Sequence, residues 1–551
     1  MVVTADTVTD LLYEKEDSPE VDHQEFSYDC DFVQPESRLA KFVPLGYSPS
    51  RCIKLNGRPM MYAVMFLAGA GILFFGYDAA VMSQVNTNEN YLKLMGADGG
   101  TTADSALIGG IVSVWFGGFA IGALIVGSIA DRVGRLKTMW LGCLWAAAGA
   151  GLQAGAPNLG VMLAGRIIGG IGCGHLNTII PVWTAELSDP RLRGAFVAVQ
   201  FTLCLCGITF VYWLEYGLVK TTPAPFAWRF SLGFQLVFLF AIFFLIPFYP
   251  ESPRYLLKHG RAEEAQDILE RCRSNADHDV ILEEIEEIKK ALRLEAETNA
   301  ERPSYWSMIT KKDKMHTRRR IALGAGVQVM QKLTGIDFIT TYAPEIFGLT
   351  GFKGDKPALL VGGNFISYAF SLALAIYLID RVGRRRLMLS GSSIMAVMLI
   401  IGGVLSRQIS NGDFSSQASA TGYGAGLTTV LYLYTFAYGS TWLTTCWVYP
   451  TECFPLATRS KGTALSTVAF SIAGTFVNTI TPFLISAVGW WVFIIFALVN
   501  AAMLIPIYLF YIETANRHLE DLDFLFASNS PLAWKAEREF SQRQALVPHN
   551  V

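Results

Sequence analysis

The stretch "IGGIVSVWFGGFAIGALIVGSIADRVGR", residues 108–135, joins a long uncharged segment to a charged motif. Its first 23 residues carry no charge, and the DRVGR motif that follows carries three charged side chains. A helix rises about 1.5 Å per residue, so this segment would measure about 34 Å, enough to cross a hydrocarbon core of about 30 Å. The stretch therefore predicts a helix that crosses a membrane and ends at a charged surface loop.

The composition of the whole chain is that of a membrane protein. Of its 551 residues, 52% are hydrophobic and 16% are charged, whereas soluble domains carry about 25% charged residues. Apolar runs of 17 or more residues recur, longer than the roughly 9–11 residues of a barrel strand. We therefore predict an all-α membrane protein with twelve spans. Numbered helix 1 to helix 12, they are 62–84, 106–130, 138–154, 159–181, 195–217, 229–249, 319–347, 358–380, 386–405, 427–450, 462–486 and 488–512.

Three charged motifs occur twice, in the same order and at nearly the same interval. DRVGR stands at 131–135 and again at 380–384. A glutamate precedes an arginine by seven residues in "ELSDPRLR" (186–193) and in "ECFPLATR" (452–459), and "PESPR" (250–254) and "IETANR" (512–517) close the two halves. The repetition predicts two pseudo-symmetric six-helix bundles.

The repeat divides the chain into five parts. We expect a cytosolic N-terminal tail at 1–59, disordered because it is polar and acidic. A six-helix bundle at 60–249, a helical linker at 250–318, a second six-helix bundle at 319–512 and a cytosolic C-terminal tail at 513–551 follow. Within the linker, "RAEEAQDILERC" (261–272) places Ile and Leu at helical spacing among balanced charges, which predicts short amphipathic helices under the bundle.

Basic residues in the short loops set the expected orientation. The loops 131–137, 189–194, 380–387 and 458–462 are rich in Arg and Lys and fall on one side of the predicted bundle. Basic loops mark the cytosolic side, so both termini are expected in the cytosol. None of the nine cysteines lies in a predicted outer loop, so no disulfide framework is expected. The net charge of −2 gives no reason to expect nucleic acid.

Taken together, the motifs resemble the sugar porter family of the major facilitator superfamily. Besides the repeats above, they include "GRIIGGIGCG" (165–174), "QKLTGIDFITTYAPEIF" (331–347) and "CWVYPTECFPLATRSKG" (446–462). The resemblance implies the major facilitator fold and alternating access in the plasma membrane, by a monomer in the lipid bilayer. It also implies uptake of a sugar with protons and no cofactor, H+ being the coupling ion. No cofactor loop, metal cluster or nucleophile elbow occurs, so neither an enzyme nor a metal site is expected.

Two charged residues are expected inside the membrane in the first half. Asp78 lies well into helix 1 and Arg166 about seven residues into helix 4, which places both at a similar depth in the outer half. A charge inside a membrane is by default a functional hypothesis, and the resemblance implies a proton-coupling pair. The alternative is a permanent structural ion pair in an uncoupled, facilitative uniporter.

A second set of charges gathers at the predicted cytosolic helix ends. Carboxylates and guanidiniums can pair there bidentately and latch the two halves shut on the inside. The latch residues are Asp131, Arg132, Arg135, Glu186, Arg193, Glu251, Arg254, Asp380, Arg381, Arg384, Glu452, Arg459 and Glu513.

The predicted substrate site centres on "QKLTGID" (331–337) in helix 7, near the midplane, where transporters of this kind bind substrate. Sugar porters usually read "QQLTGIN" there, with amides that bond sugar hydroxyls. This chain keeps Gln331 but has Lys332 and Asp337 in place of a glutamine and an asparagine. The remaining candidates for this site are Gln200, Tyr342, Tyr368, Trp442 and Trp447.

Two interpretations of Lys332 stay open. Its ammonium could meet the carboxylate of a sugar acid, for example a hexuronate such as galacturonate. Alternatively, Lys332 and Asp337 neutralise each other or nearby charges and a neutral monosaccharide binds. On an unbroken helix residues five apart project about 140° from each other, which makes direct pairing poor and favours the sugar acid.

A transporter-like sugar sensor is the remaining alternative. Such sensors resemble transporters but carry a long cytosolic tail. About 39 residues follow the predicted helix 12, which argues for a transporter.

Overall fold

The computed structural model describes residues 48–188, 193–273, 278–298, 304–310, 316–412, 417–454, 458–515, 522, 525–526 and 532–544. Within these ranges the chain is helical and contains no strand. Residues 1–47 of the tail expected at 1–59, and much of the tail expected at 513–551, lie outside the described residues.

The first half contains helices 1 to 6. Their bounds are Arg58–Ala80, continued by Met82–Val85, for helix 1, and Thr102–Val133, Arg135–Ala154, Leu159–Leu187, Arg193–Thr221 and Ala224–Leu245 for helices 2 to 6. A short helix, Glu89–Met95, lies between helices 1 and 2.

The second half contains helices 7 to 12. Helix 7 is divided into Thr317–Leu333, Ile336–Thr341 and Ala343–Gly348. Helix 10 runs from Gln417–Tyr438 through a π-helical turn, Gly439–Leu443, into Thr444–Cys453. Helices 8, 9, 11 and 12 are Lys356–Val382, Arg384–Asn411, Arg459–Val488 and Trp491–Phe510.

The twelve predicted spans are all present. Nine of the helices in the described ranges are long and apolar enough to cross a membrane by length and composition alone. The other three are helix 3, the divided helix 7, and helix 10 with its π-helical turn. The prediction of a twelve-helix major facilitator architecture is confirmed.

The glycine of each DRVGR motif makes the turn between two spans. Gly134 separates helices 2 and 3 at φ 102°, and Gly383 separates helices 8 and 9 at φ 94°. A residue with a Cβ rarely adopts such a backbone. The glycine therefore lets each helix end and the next begin without a loop, which fixes where the flanking charges lie. We call the end of the bundle that carries these motifs the DRVGR end.

Glycines also bring helices 2 and 4 into backbone contact. A methyl group placed on Gly118 would stand 2.1 Å from the carbonyl oxygen of Ile167, and one on Gly170 would stand 2.3 Å from that of Trp115. Helices 1 and 5 meet in the same way: a methyl group on Gly76 would lie 1.9 Å from the carbonyl oxygen of Cys204. Only glycine permits so close an approach, as is common between membrane helices.

The two halves meet along helices 2 and 11 and along helices 5 and 8. Ser113 of helix 2 donates a hydrogen bond to the carbonyl oxygen of Thr475 of helix 11 at 3.1 Å. At the end opposite the DRVGR motifs, the Tyr212 hydroxyl of helix 5 donates to the carbonyl oxygen of Ala358 of helix 8 at 2.8 Å.

The linker forms short helices at the DRVGR end of the first half. They are Pro253–Lys258, Ala262–Cys272, His278–Thr298 and Tyr305–Thr310. Arg273 donates a hydrogen bond to the carbonyl oxygen of Leu187, the last residue of helix 4, at 2.9 Å. These contacts attach the linker to the bundle.

The expectation of a disordered tail throughout 1–59 is wrong for its last residues. Cys52 is buried, the amide of Ile53 donates to the carbonyl oxygen of Phe248 at 2.8 Å, and the amide of Gly57 donates to the carbonyl oxygen of Arg271 at 2.6 Å. The physical reason is that this segment covers apolar surface where the linker meets helix 6.

Candidate functional site

The first half buries a carboxylate beside a guanidinium. Oδ1 of Asp78 lies 3.8 Å from Nη1 of Arg166, and the two side chains are 1% and 2% exposed. The Trp115 indole donates a hydrogen bond to Oδ2 of Asp78 at 2.7 Å. Arg166 has no hydrogen bond at Nε or Nη1 from any described residue. The structure thus brings the two predicted coupling residues together in a loose ion contact, and their coupling role stays a prediction.

Helix 7 breaks inside the QKLTGID segment. The helix ends at Leu333 and resumes at Ile336, and between them Gly335 has φ 95°, in the left-handed region. Nζ of Lys332 donates to both carboxylate oxygens of Asp337, at 2.9 and 2.8 Å. The expectation that direct pairing of these residues is poor is therefore wrong, because it assumed an unbroken helix.

Both halves of the bundle enclose this ion pair. The Lys332 ammonium stands over the ring of Phe470 of helix 11, 4.2 Å from its centroid, and over that of Phe116 of helix 2 at 4.7 Å. Asn478 donates a further hydrogen bond to Asp337 at 3.0 Å. The ammonium thus meets a carboxylate and two aromatic faces, which is a favourable setting for a desolvated cation. Phe116 and Phe470 place the pair where the halves meet.

Three other predicted residues lie close to the ion pair in the second half. The Gln331 amide donates to the Tyr438 hydroxyl at 2.9 Å, while its Oε1 has no partner among the described residues. The ring of Tyr368 lies 6.1 Å from that of Tyr438. The Tyr342 hydroxyl donates to the carbonyl oxygen of Asn478 at 2.9 Å. An unpaired amide oxygen beside aromatic rings suits a hydroxyl-bearing ligand.

Gln200 forms its hydrogen bond within the first half. Its amide donates to Oγ1 of Thr184 of helix 4 at 2.8 Å, and the side chain is buried. The ring of its neighbour Phe201 lies 5.9 Å from that of Trp447, so this part of helix 5 also faces the second half.

The two predicted tryptophans lie in different surroundings. Trp447 is half-buried between Phe201 and Phe470 and contacts both halves. Trp442 is fully buried, and its indole donates to the Met388 carbonyl oxygen and to Ser392 of helix 9. The placement of Trp442 in the substrate wall is therefore wrong for this conformation, because the π-helical turn directs its ring into helix 9.

At the DRVGR end of the first half, charges pair bidentately as predicted. Arg135 donates from Nε and Nη2 to the two oxygens of Glu186, at 2.8 and 2.9 Å. Asp131 also contacts Arg135, at 3.0 Å. Glu251 accepts from the amides of Arg135 and Leu136. Burial raises the pKa of Glu251, and these amides and Arg135 oppose the rise.

The second half repeats this arrangement. Arg384 donates to Glu452 at 3.0 Å, and Glu513 accepts from the amide of Arg384 at 2.7 Å. Arg381 stacks on Tyr377, and Arg459 donates to the carbonyl oxygen of Phe454.

These ion pairs form among the predicted latch residues. Each of these pairs joins helices of the same half and braces that half. The physical reason is that the duplicated motifs bring a carboxylate and a guanidinium to adjacent helix ends within each bundle. Arg132 and Arg254 lie at the same end, and the side chains of Arg193 and Asp380 lie outside the described part of the chain.

Known proteins resemble this chain in sequence and in fold. The family described as "Sugar (and other) transporter" matches residues 64–526. The chain belongs to the sugar transporter family. It is 33% identical over 488 residues to the MFS-type transporter oryC of Aspergillus oryzae, covering 87% of each chain. It is 28% identical over 484 residues to the Sugar transporter STL1 of Saccharomyces cerevisiae, covering 86% of this chain and 82% of that one. The fold matches the proton:xylose symporter XylE with a TM-score of 0.71 at 24% identity, over 85% of this chain and 99% of that one.

The match confirms the predicted family and a multi-pass transporter, not an enzyme. Several residues of this sugar transporter were missed by the sequence reasoning, namely Trp115, Phe116, Tyr438 and Asn478. A helical repeat of about 3.6 residues would have found one of them, since Tyr438 precedes the predicted Trp442 by one turn.

Proposed function

We propose that this sugar transporter imports a neutral monosaccharide together with a proton by alternating access. The observation that carries the proposal is the buried contact between Asp78 and Arg166 at 3.8 Å. Asp78 accepts a short hydrogen bond from Trp115, interacts with the Cys173 thiol and has a long ionic contact with Arg166. The positive charge of Arg166 compensates the negative charge of Asp78 only incompletely, because the two groups are 3.8 Å apart. A proton can therefore bind Asp78 and replace the contact with Arg166. Protonation would release helix 1 from helix 4 and favour the loaded state.

The proposed site for the sugar is separate from the proton site. It comprises the surroundings of Gln331 in the second half, with Trp447 and Phe116 at the boundary with the first half. XylE is named a proton:xylose symporter and STL1 a sugar transporter, which supports a sugar as the cargo. Two sites on different halves allow proton and sugar to be linked through the rocking of the bundles.

The Lys332–Asp337 pair favours a neutral sugar over a sugar acid. The ammonium already contacts both oxygens of Asp337 and two aromatic faces. A hexuronate such as galacturonate would have to displace an internal carboxylate from a buried ion pair, and separating such a pair is costly. A neutral sugar needs no such exchange.

We further propose that the DRVGR end faces the cytosol of a plasma-membrane protein, with both termini inside. The basic loops of both halves lie at this end, as the positive-inside rule requires for a cytosolic face. On this basis the end with Tyr212 and Ala358 is the outer end, and the contacts there close the outer side.

Uptake and proton influx, measured together, test the proposal. Transporter-deficient cells or proteoliposomes that contain the wild type should accumulate labelled monosaccharide and acidify inside. Asp78→Asn should abolish proton influx and accumulation but keep downhill exchange, while Asp98→Asn, an exposed aspartate of the same half, should behave as the wild type.

Three other outcomes would point elsewhere. Sugar uptake without proton influx in the wild type would identify a facilitative uniporter. Sugar binding without any movement of label would identify a sensor. Saturable uptake of galacturonate, with no competition by glucose, galactose or xylose, would establish the sugar acid as substrate.

A further inference from the structure

At the outer end of the first half, one carboxyl group is buried and unpaired. Glu215 lies on helix 5, six residues before its last residue, Thr221, and is 2% exposed. Neither Oε1 nor Oε2 has a hydrogen-bond partner among the described residues. A carboxylate buried without a partner is strongly unfavourable, so Glu215 carries a proton in this conformation.

A small cavity adjoins this carboxyl group. Its volume is about 10 Å³, roughly the space that one water molecule needs. Helices 1, 5 and 6 and the segment after helix 1 contribute to its wall. The lining residues are Gln84, Val85, Asn88, Glu215, Val219, Ala227, Trp228 and Ser231.

Ser231 and Asn88, beside Glu215, are occupied by structural hydrogen bonds. Ser231 donates to the Ala227 carbonyl oxygen, and Oδ1 of Asn88 accepts the amides that begin the short helix at Glu89–Met95. A calcium or magnesium ion needs about six oxygen ligands. The two oxygens of Glu215 are far from enough, so the geometry fits a proton and not a metal ion.

Two tyrosines are the titratable groups that face Glu215. Tyr77 of helix 1 and Tyr212 of helix 5 both interact with it electrostatically. The Tyr77 hydroxyl donates a hydrogen bond to the carbonyl oxygen of Ser231, and the Tyr212 hydroxyl donates one to the carbonyl oxygen of Ala358. Neither hydroxyl donates to Glu215, so neither stabilises a carboxylate there.

The same end of helix 5 also holds the two halves together. The Tyr212 hydroxyl bonds to Ala358, and the Lys220 ammonium pairs with Asp355, which immediately precedes helix 8. Helix 5 thus presents Glu215 to helices 1 and 6 of its own half and Tyr212 and Lys220 to the other half. A movement that exposes Glu215 to water would therefore also disturb the closure between the halves.

We propose that Glu215 is a second proton-exchange site, which keeps the outer end of helix 5 closed while it holds a proton. Loss of that proton to the outer solution leaves a buried carboxylate without a hydrogen-bond partner among the described residues. Helix 5 then moves towards water, and the contacts of Tyr212 and Lys220 with the second half are lost. The inference rests on the proposed alternating access, but does not require Asp78 to be the coupling carboxyl.

Distance measurements between the two halves test this inference on the full chain in lipid nanodiscs. Spin labels on unnatural amino acids, which need no cysteine, would replace the exposed residues Thr221 and Lys353 at the outer end. As the pH is raised from about 5 to about 9, across the range in which a buried carboxyl ionises, the wild-type distance should lengthen. Glu215→Gln imitates the protonated acid and should keep the short distance throughout.

A matched control and a stability measurement complete the test. Glu89→Gln, an exposed glutamate at the same end, should follow the wild type. The melting temperature of Glu215→Gln should equal that of the wild type at acidic pH and exceed it at alkaline pH. An equal lengthening in wild type and Glu215→Gln would overturn the inference, as would a Glu215→Gln variant that is less stable at every pH.

Asp78→Asn separates this inference from the proposed function. If Asp78→Asn loses proton influx while Glu215→Gln keeps the wild-type pH response, only the role of Glu215 fails. If Asp78→Asn retains proton-coupled uptake while Glu215→Gln fixes the outer end closed, the proposed coupling site fails and the role of Glu215 stands.

Discussion

The ion pair between Lys332 and Asp337 makes a sharp prediction through a double-mutant cycle. The three variants are Lys332→Gln, Asp337→Asn and the double variant, which restores the two amides that sugar porters usually carry. Each single change leaves one buried charge without its partner, whereas the double change removes both charges. The side chains are only 8% and 11% exposed, so solvent cannot compensate for the lost partner.

The expected magnitudes differ between the two single variants. Breaking a buried pair by removing one partner typically costs about 3–5 kcal/mol, whereas replacing both partners is often neutral or stabilising. In Asp337→Asn the ammonium keeps the faces of Phe470 and Phe116, at 4.2 and 4.7 Å, each a contact worth up to about 2 kcal/mol when desolvated. In Lys332→Gln the carboxylate keeps only the hydrogen bond from Asn478. Lys332→Gln should therefore be the less stable single variant.

Thermal unfolding of the purified variants and uptake of labelled monosaccharide measure the cycle. We expect both single variants to unfold at lower temperature and the double variant to recover stability and uptake. Lys353→Gln, an exposed lysine, is the matched control and should change neither. A double variant as unstable as Lys332→Gln would refute the pairing argument, and a loss of sugar-acid uptake in the double variant alone would refute the neutral-sugar argument.

Three further predictions follow from local geometry. Gly335→Ala should unfold at lower temperature and lose uptake because its φ is 95°, whereas Gly348→Ala, with open space around it, should not. Glu186→Gln should lower the free energy of unfolding by about 3 kcal/mol in a denaturation assay, since it breaks the pair with Arg135. In the same assay Asp131→Asn should cost less than about 1 kcal/mol, because the Asp131 side chain is 51% exposed. Trp442→Phe should lower the melting temperature but leave KM for the sugar unchanged; a large rise in KM would return Trp442 to the substrate site.

The membrane fold could be predicted from the sequence because its two signals are local. An uncharged run of the required length is a property of consecutive residues, and the duplicated motifs DRVGR (131–135 and 380–384) mark corresponding helix ends. Even the glycine turns at Gly134 and Gly383 agree with the motif, since a positive φ is needed exactly where one helix stops and the next starts without a loop.

The geometry around Lys332 was not predicted because it depends on a break inside a helix. A rotation of about 100° per residue holds only while the helix is continuous, and the apolar run 319–347 predicts one continuous span. Gly335 in "LTGID" was the available signal. The left-handed backbone of Gly335 changes the direction of the chain between the two parts of helix 7. The side chains of Lys332 and Asp337 therefore meet instead of pointing apart.

The partners in the latch were not predicted for a different reason. The sequence places Arg135 and Arg384 at corresponding helix ends, but which carboxylate each one meets depends on how those helix ends pack in three dimensions. In this conformation the choice falls on Glu186 and Glu452 of the same half. Likewise the side of helix 10 on which Trp442 lies depends on a π-helical turn that has no sequence signature.

The glycine contacts arrange the first half as two closely packed helix pairs. Helices 2 and 4 approach backbone to backbone at Gly118 and Gly170, and helices 1 and 5 do so at Gly76. Asp78 belongs to one pair and Arg166 to the other. If Asp78 takes up the proton as proposed, protonation acts at the boundary between these pairs, where a small displacement of helices 1 and 5 would carry the carboxyl away from its guanidinium.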